Sequence, residues 1–151
     1  VYIMSDYDTI QGQLASRIIL VSGFSAANVF EYDNRVLASG PTRAVVLNFG
    51  GYTKSIATFR EIFREWTVLI DLYEQWQGSG AQSATLNNMT TDRQLIIDTV
   101  DAWPLLGGAS ILSAEIISAG PVEPLSIGRT AYIRQRMVCR AREKLLVTYN
   151  E

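Results

Sequence analysis

Between Ala131 and Lys144 the chain places four arginines at strand spacing: Ala-Tyr-Ile-Arg-Gln-Arg-Met-Val-Cys-Arg-Ala-Arg-Glu-Lys. Read at the period of two that a strand imposes, Tyr132, Arg134, Arg136, Val138, Arg140 and Arg142 share one face. Ile133, Gln135, Met137, Cys139 and Ala141 share the other. A strand with four guanidinium groups on one side cannot bury that side in an ordinary core, because an unpaired buried charge is too costly. That face must meet water, carboxylates, phosphate or another subunit. The segment therefore predicts a sheet with one apolar face and one face given to ionic contacts.

The rest of the chain can supply the layer that covers the apolar face. Ile10, Leu14, Ile18 and Val21 recur at helical spacing, with Ser5 or Asp6 as a cap and Gly23 as a stop. Short strands are predicted at Ala27–Tyr32 and Arg43–Phe49, separated by Gly40-Pro41 and closed by Gly50-Gly51. Tyr52–Arg64 fits either a helical face (Ile56, Phe59, Ile62, Phe63) or a loop. Glu65–Trp76 alternates as a strand, and core packing is the plain reading of Trp66. Gln77–Thr90 reads as a polar Gly/Ser/Asn-rich loop, long enough to expect a role in contacts. Thr91 with Gln94 forms a capping-box pattern opening a second helix, with Asp92 near the dipole's positive end. Leu95, Ile96, Thr99, Val100 and Trp103 would be its buried face. Ile111–Ala119 alternates as a half-buried strand, and Gly120-Pro121 to Gly128 reads as the connection into the arginine strand. The expected fold is α+β, a mixed, mainly antiparallel sheet with two helices packed on one face, as a single domain over residues 1–151.

Composition narrows the function classes. The 151 residues, 48% hydrophobic and 19% charged, suit one globular domain with a real core. The net charge of −2 does not mark a nucleic-acid binder. Among the basic residues eleven are Arg and only Lys54 and Lys144 are Lys. Arginine's planar fork suits interface ion pairs, although codon bias would give the same skew. Cys139 is the single cysteine, which rules out an intramolecular disulfide and a thiolate zinc site. It falls on the apolar face, where a buried inert thiol is expected. No segment approaches a membrane-spanning length. The first residues lack signal-peptide features, so synthesis inside the cell is expected, with Met4 a candidate natural start.

No constellation with catalytic spacing stands out, and the chain contains no histidine. Asp98 and Asp101 could offer two ligands to a hard cation, but a solvated helix face explains them as well. Asp71 and Glu115 could act as paired acid and base, or equally as salt-bridge partners of the arginine strand. Gly50-Gly51 and Gly107-Gly108 have neither phosphate-loop nor dinucleotide spacing. Neither an enzyme nor a cofactor or metal site is expected. Tyr132, Arg134, Arg136, Arg140 and Arg142 are the candidate contact residues, as a subunit interface or a channel lining. Basic residues beside an aromatic can also hold a nucleic-acid strand. Tyr132 and Trp76 are expected to be exposed aromatics, and Gly78, Ser79, Gly80, Asn87 and Asn88 to belong to a partner-contact loop.

The element succession resembles the tail terminator (tail completion) proteins of long-tailed bacteriophages. The stretches that carry the resemblance are Arg-Ala-Val-Val-Leu-Asn-Phe-Gly-Gly, Glu-Trp-Thr-Val-Leu-Ile-Asp-Leu-Tyr, Asp-Arg-Gln-Leu-Ile-Ile-Asp-Thr-Val-Asp-Ala-Trp-Pro and the final arginine strand. It spans nearly the whole chain as a pattern of elements. The resemblance implies a non-catalytic virion subunit, assembled in the host cytoplasm, that forms a hexameric ring on the head-proximal end of the tail tube. Its implied neighbours are further copies of itself, the tail tube protein and a head-completion or connector protein. Genomic DNA would pass through the channel without sequence recognition, and no membrane is involved. A head-tail connector or adaptor, a tail-tube subunit and an enzyme on a small substrate remain as alternatives.

Overall fold

One five-stranded sheet, in the order β1-β2-β3-β5-β4, organises the chain. In the computed structural model, residues 7–31, 42–76, 82–102 and 111–146 are described. Helix α1 (Tyr7–Ile18) leads to β1 (Val29–Phe30), β2 (Arg43–Ile56) and β3 (Glu61–Gln75). Helix α2 (Gln82–Asp101), β4 (Ile111–Ile127) and β5 (Thr130–Leu146) complete the order. Only the β1–β2 pairing is parallel; β2–β3, β3–β5 and β4–β5 are antiparallel. This is the expected α+β architecture.

Both helices pack on one face. Ile10, Leu14 and Ile18 from α1 and Met89, Ile96 and Val100 from α2 join Val45, Leu47, Val68, Ile70, Leu72, Met137, Cys139 and Ala141 in one buried cluster. The alternation of β5 is as its sequence predicts: Met137, Cys139 and Ala141 lie fully under the helices. Gln11 ties α1 to the sheet, its amide donating to the Leu47 carbonyl at 2.8 Å.

β2 to β5, at 14 to 17 residues each, are much longer than the five or six residues usual in globular sheets. Tyr52–Arg64, ambiguous by sequence, is the far end of the β2–β3 hairpin. Its turn is held by Thr58, whose hydroxyl accepts from the backbone N–H groups of Arg60 (3.2 Å) and Glu61 (3.1 Å). A register shift between Phe49 and Gly51 marks where β2 leaves the body of the domain. Gly51 has φ 136°, which disfavours any side chain, and a Cβ on Gly50 would lie 2.9 Å from Leu69 and Thr67 atoms. Beyond this bulge, residues 52–60 are exposed.

Three expectations need correction. Residues 82–90 of the expected loop Gln77–Thr90 are helical, so Asn87 and Asn88 are exposed positions on α2, while Gly78, Ser79 and Gly80 lie outside the described residues. The Thr91/Gln94 pattern falls mid-helix, where Gln94 donates to Asp98 at 2.9 Å instead of capping. The buried stripe of α2 is Thr85, Met89, Asp92, Ile96 and Val100, and Leu95 is exposed; Trp103 lies outside the described residues. Secondly, β4 continues through Gly120-Pro121 to Ile127. It is the sheet's edge strand, so Pro121 and Pro124 need not donate to a further neighbour, and a register shift at Ala119/Val122 absorbs the irregularity. Thirdly, Tyr132 is only 1% exposed and Trp76 packs against the core. Tyr132 meets Tyr73 edge-on with centroids 6.1 Å apart, within a small second cluster that includes Ala44 and Val46.

Candidate functional site

The face of the sheet away from the helices carries the arginine stripe. Antiparallel register sets Arg134 opposite Tyr73, Arg136 opposite Asp71, Arg140 opposite Thr67 and Arg142 opposite Glu65 on β3. On the other side, β4 sets Glu123 opposite Arg134 and Glu115 opposite Arg140. The charges resolve into cross-strand pairs. Arg136 binds Asp71 in a two-pronged fashion, Nε to Oδ1 at 2.7 Å and Nη2 to Oδ2 at 3.0 Å. Arg134 pairs with Glu123 at 2.9 Å, Arg140 with Glu65 at 3.0 Å and Lys144 with Glu61 at 3.1 Å. The Arg142 guanidinium lies 5.6 Å from the centre of the Phe63 ring. Asp71 is the partner anticipated from sequence; Glu123, Glu65 and Glu61 were not recognised, because the β4 and β3 registers decide them. Asp71 and Glu115 do not converge, so a paired acid and base is not assembled there.

Register gives the charge balance of this face over β3, β4 and β5. Arg134, Arg136, Arg140, Arg142 and Lys144 stand against Glu61, Glu65, Asp71, Glu115 and Glu123, five cations and five anions. A face so balanced has little attraction for a polyanion beyond local contacts. It does suit a second protein surface, since the Arg134–Glu123, Arg140–Glu65 and Lys144–Glu61 pairs, partly exposed on both sides, can be exchanged for partner groups without a net charge being stranded. A groove of about 380 Å³ lies along it, lined by Ser118, Gly120, Pro121, Glu123, Arg134 and Arg136 among others.

A different polar site sits at the end of the sheet remote from the hairpin tip, under the helices. A cleft of about 480 Å³ is bounded by Gly23, Asn28, Thr42, Arg43, Glu74, Gln75, Ala84, Thr85 and Asn88. Arg43 Nε lies 3.3 Å from Glu74 Oε1 and 3.0 Å from Asp92 Oδ2. Both carboxylates are buried. Burial first, and then the hydrogen bond and charge of Asp92, push the Glu74 carboxyl up to about 8, with Arg43 pulling the other way. Among the described residues, Arg43 and Glu74 line the cleft, and Asp92 meets Arg43 beside it. Its signal in sequence is faint, since Arg43, Glu74 and Asp92 come from three separate elements.

Cys139 is buried, as expected, and burial pushes its thiol up to about 12, so it stays protonated and inert. Among the described residues no group of three or more Cys, Asp or Glu side chains could hold a metal ion. No helix among them is long and apolar enough to cross a membrane.

Comparison with protein-family models gives no match, and comparison with curated proteins gives none either. Among solved structures, the fold is similar to that of a chain in the virion of a native gene transfer agent particle. The likeness has a TM-score of 0.52 at 12% identity and covers 89% of this chain and 94% of that one. At that identity the two chains share a fold, over almost the full length of both.

Proposed function

We propose that the chain is a structural subunit of a phage-like virion, acting as a tail terminator. In this reading copies form a ring, six-fold by the family resemblance, at the head-proximal end of the tail tube. The ring ends tube polymerisation and joins the tail to the neck, and the genome passes through its channel. The observation that carries the reading is the likeness of fold to a virion chain, nearly end to end in both proteins. The element order that resembles tail terminators, obtained from the sequence independently, points the same way. The balanced arginine face supplies a surface that a neighbouring copy can use, through Arg134, Arg136, Arg140 and Arg142.

Electron microscopy of assembled particles, with the protein labelled, tests this directly. Label at the junction of tail and neck, together with rings of the purified protein, is the expected result. Label along the whole tail would make it a tube subunit, and label at the portal a connector. Protein that stays monomeric over a wide concentration range, tail tubes included, would end the ring reading.

A further inference from the structure

Both lateral edges of the sheet are closed at one end and open at the other. On the outer side of β2, β1 pairs with Val45 and Val46, and the Gln11 amide takes the Leu47 carbonyl. Beyond Leu47 no strand among the described residues pairs with that side. The Ala57 N–H donates to the Glu61 carbonyl, so alternation turns the backbone groups of Tyr52, Lys54 and Ile56 outward. On the opposite edge, Pro121 and Pro124 remove two backbone donors from the part of β4 remote from the hairpin tip. Nearer the tip Glu115, Ile117, Ser118 and Ala119 are exposed. Register ties the two open ends together: Ile116 stands opposite Cys139, Cys139 opposite Val68, and Val68 opposite Phe49. The exposed stretch of β4 is thus level with the point where β2 becomes free.

The open ends are opposite in charge, and each has apolar side chains in water. From Ala44 to Arg60 the chain has Lys54 and Arg60 and no Asp or Glu, with Phe49, Tyr52 and Ile56 exposed beside them. From Gln94 to Ala119 it has Asp98, Asp101 and Glu115 and no Lys or Arg, with Ile117 exposed. Asp101 accepts from the Ile116 N–H at 3.4 Å, which brings the acidic end of α2 to the β4 edge. Lys54, Arg60, Asp98 and Asp101 are exposed, and none joins an ion pair among the described residues. Three strand spacings, roughly 14 Å, separate the edges, which face opposite ways and cannot meet within one copy. We propose that the free edge of β2 in one copy lies against the β4–α2 edge of the next copy, Lys54 toward Asp98 and Asp101. A stagger of about four residues, roughly 13 Å, brings Lys54 level with Asp101 and Tyr52 beside Ile117. Sheets closed around an axis require a stagger of this kind. Such a contact is heterologous and, repeated, closes a ring. The inference rests on the ring reading and adds the sides on which copies meet.

Charge reversal in mixtures tests the contact apart from the ring. Lys54→Glu with Arg60→Glu makes both edges of a copy acidic, and Asp98→Lys with Asp101→Lys makes both basic. All four side chains are exposed, so the thermal melt of either monomer should match the parent's. Each variant alone should assemble about tenfold or more weakly than the parent, because like charges meet at every contact. Mixed in equal amounts, the two should form rings again, with the variants alternating and equal in number by native mass spectrometry. Variants that assemble like the parent would overturn the edge contact and leave the ring standing. So would weakened variants that the mixture does not restore. A parent that stays monomeric under all conditions, tail tubes included, would overturn both.

Discussion

On the helix-covered face Arg64 and Glu143 are 7% and 0% exposed, whereas on the open face Arg136 and Arg140 keep 43% and 40% of their side chains in water. The same sheet thus carries arginine–carboxylate pairs in two environments. A buried pair has lost its hydration on both sides, so removing one member strands the other in a poor dielectric. A half-exposed pair trades one hydrated contact for another, and its loss costs little. Charge on the covered face is therefore committed to holding this fold, while charge on the open face, the buried Asp71 apart, is available to a partner.

The contrast is broken most directly at Glu143. Arg64 Nε donates to it at 2.6 Å, with the Trp66 ring centre 5.3 Å from the guanidinium. Glu143→Ala should cost about 3–5 kcal/mol in urea unfolding, because the guanidinium is left buried beside an apolar methyl. A loss under about 1 kcal/mol would mean that water reaches this pair and that the two faces differ less than their burial suggests.

Glu74 sharpens the comparison through pH. Its folded-state acidity lies near 8 against an ordinary 4.5, so the folded chain holds a proton that the unfolded chain has released between those values. The stabilisation is complete below about 4.5 and is lost as pH rises through 8. Unfolding midpoints should fall between pH 5 and 9, and Glu74→Gln should flatten the decline and be the more stable form at pH 9. An unchanged slope in Glu74→Gln would assign the pH dependence to another group.

On the open face the largest effect belongs to Arg136. Asp71 is fully buried there and accepts from Asn48 at 3.1 Å as well as from the guanidinium. Arg136→Ala should cost about 1–2 kcal/mol, since one hydrogen-bonded acceptor loses its charged donor while another remains. A double-mutant cycle with Asp71→Asn should return most of that value as coupling. Because Asp71 belongs to the same chain, Arg136→Glu would damage the monomer before it said anything about assembly.

Much of this was legible in β5 alone. Its alternation separates Met137, Cys139 and Ala141 from Arg134, Arg136 and Arg140, and that separation is the covered and open faces of the whole sheet. Helix α1 was legible for the same reason, through Ile10, Leu14 and Ile18. Helix α2 was readable only from its middle, because Thr85 and Asp92 interrupt the apolar stripe; Asp92 is buried to meet Arg43, a contact from a distant strand. The hairpin tip was ambiguous because apolar residues at 56, 59, 62 and 63 fit helical spacing, and the pairing with β3 that decides the matter is not local. Glu123, the partner of Arg134, failed to show for a related reason: register across β4 depends on shifts at Ile111, Ile116 and Ala119 that no single-strand pattern contains.

The smallest effect should come from Arg134. Its partner Glu123 lies on the edge strand with more than half of its side chain in water, so the pair is screened and mobile. Arg134→Ala should change unfolding free energy by less than about 0.5 kcal/mol, and raising the salt from low to molar should change it as little. That near-neutrality makes Arg134 the cleanest probe of what the open face is for. A substitution silent in the monomer can alter ring assembly only through contacts between copies. Arg134→Glu, set beside Glu123, adds like charge at the rim of the groove and should still leave the fold intact. If the face is a subunit interface, its rings should dissociate at lower salt than the parent's. If rings assemble with unchanged salt dependence, this end of the stripe lies outside the interface, and Arg140 and Arg142 are where the contact must be sought.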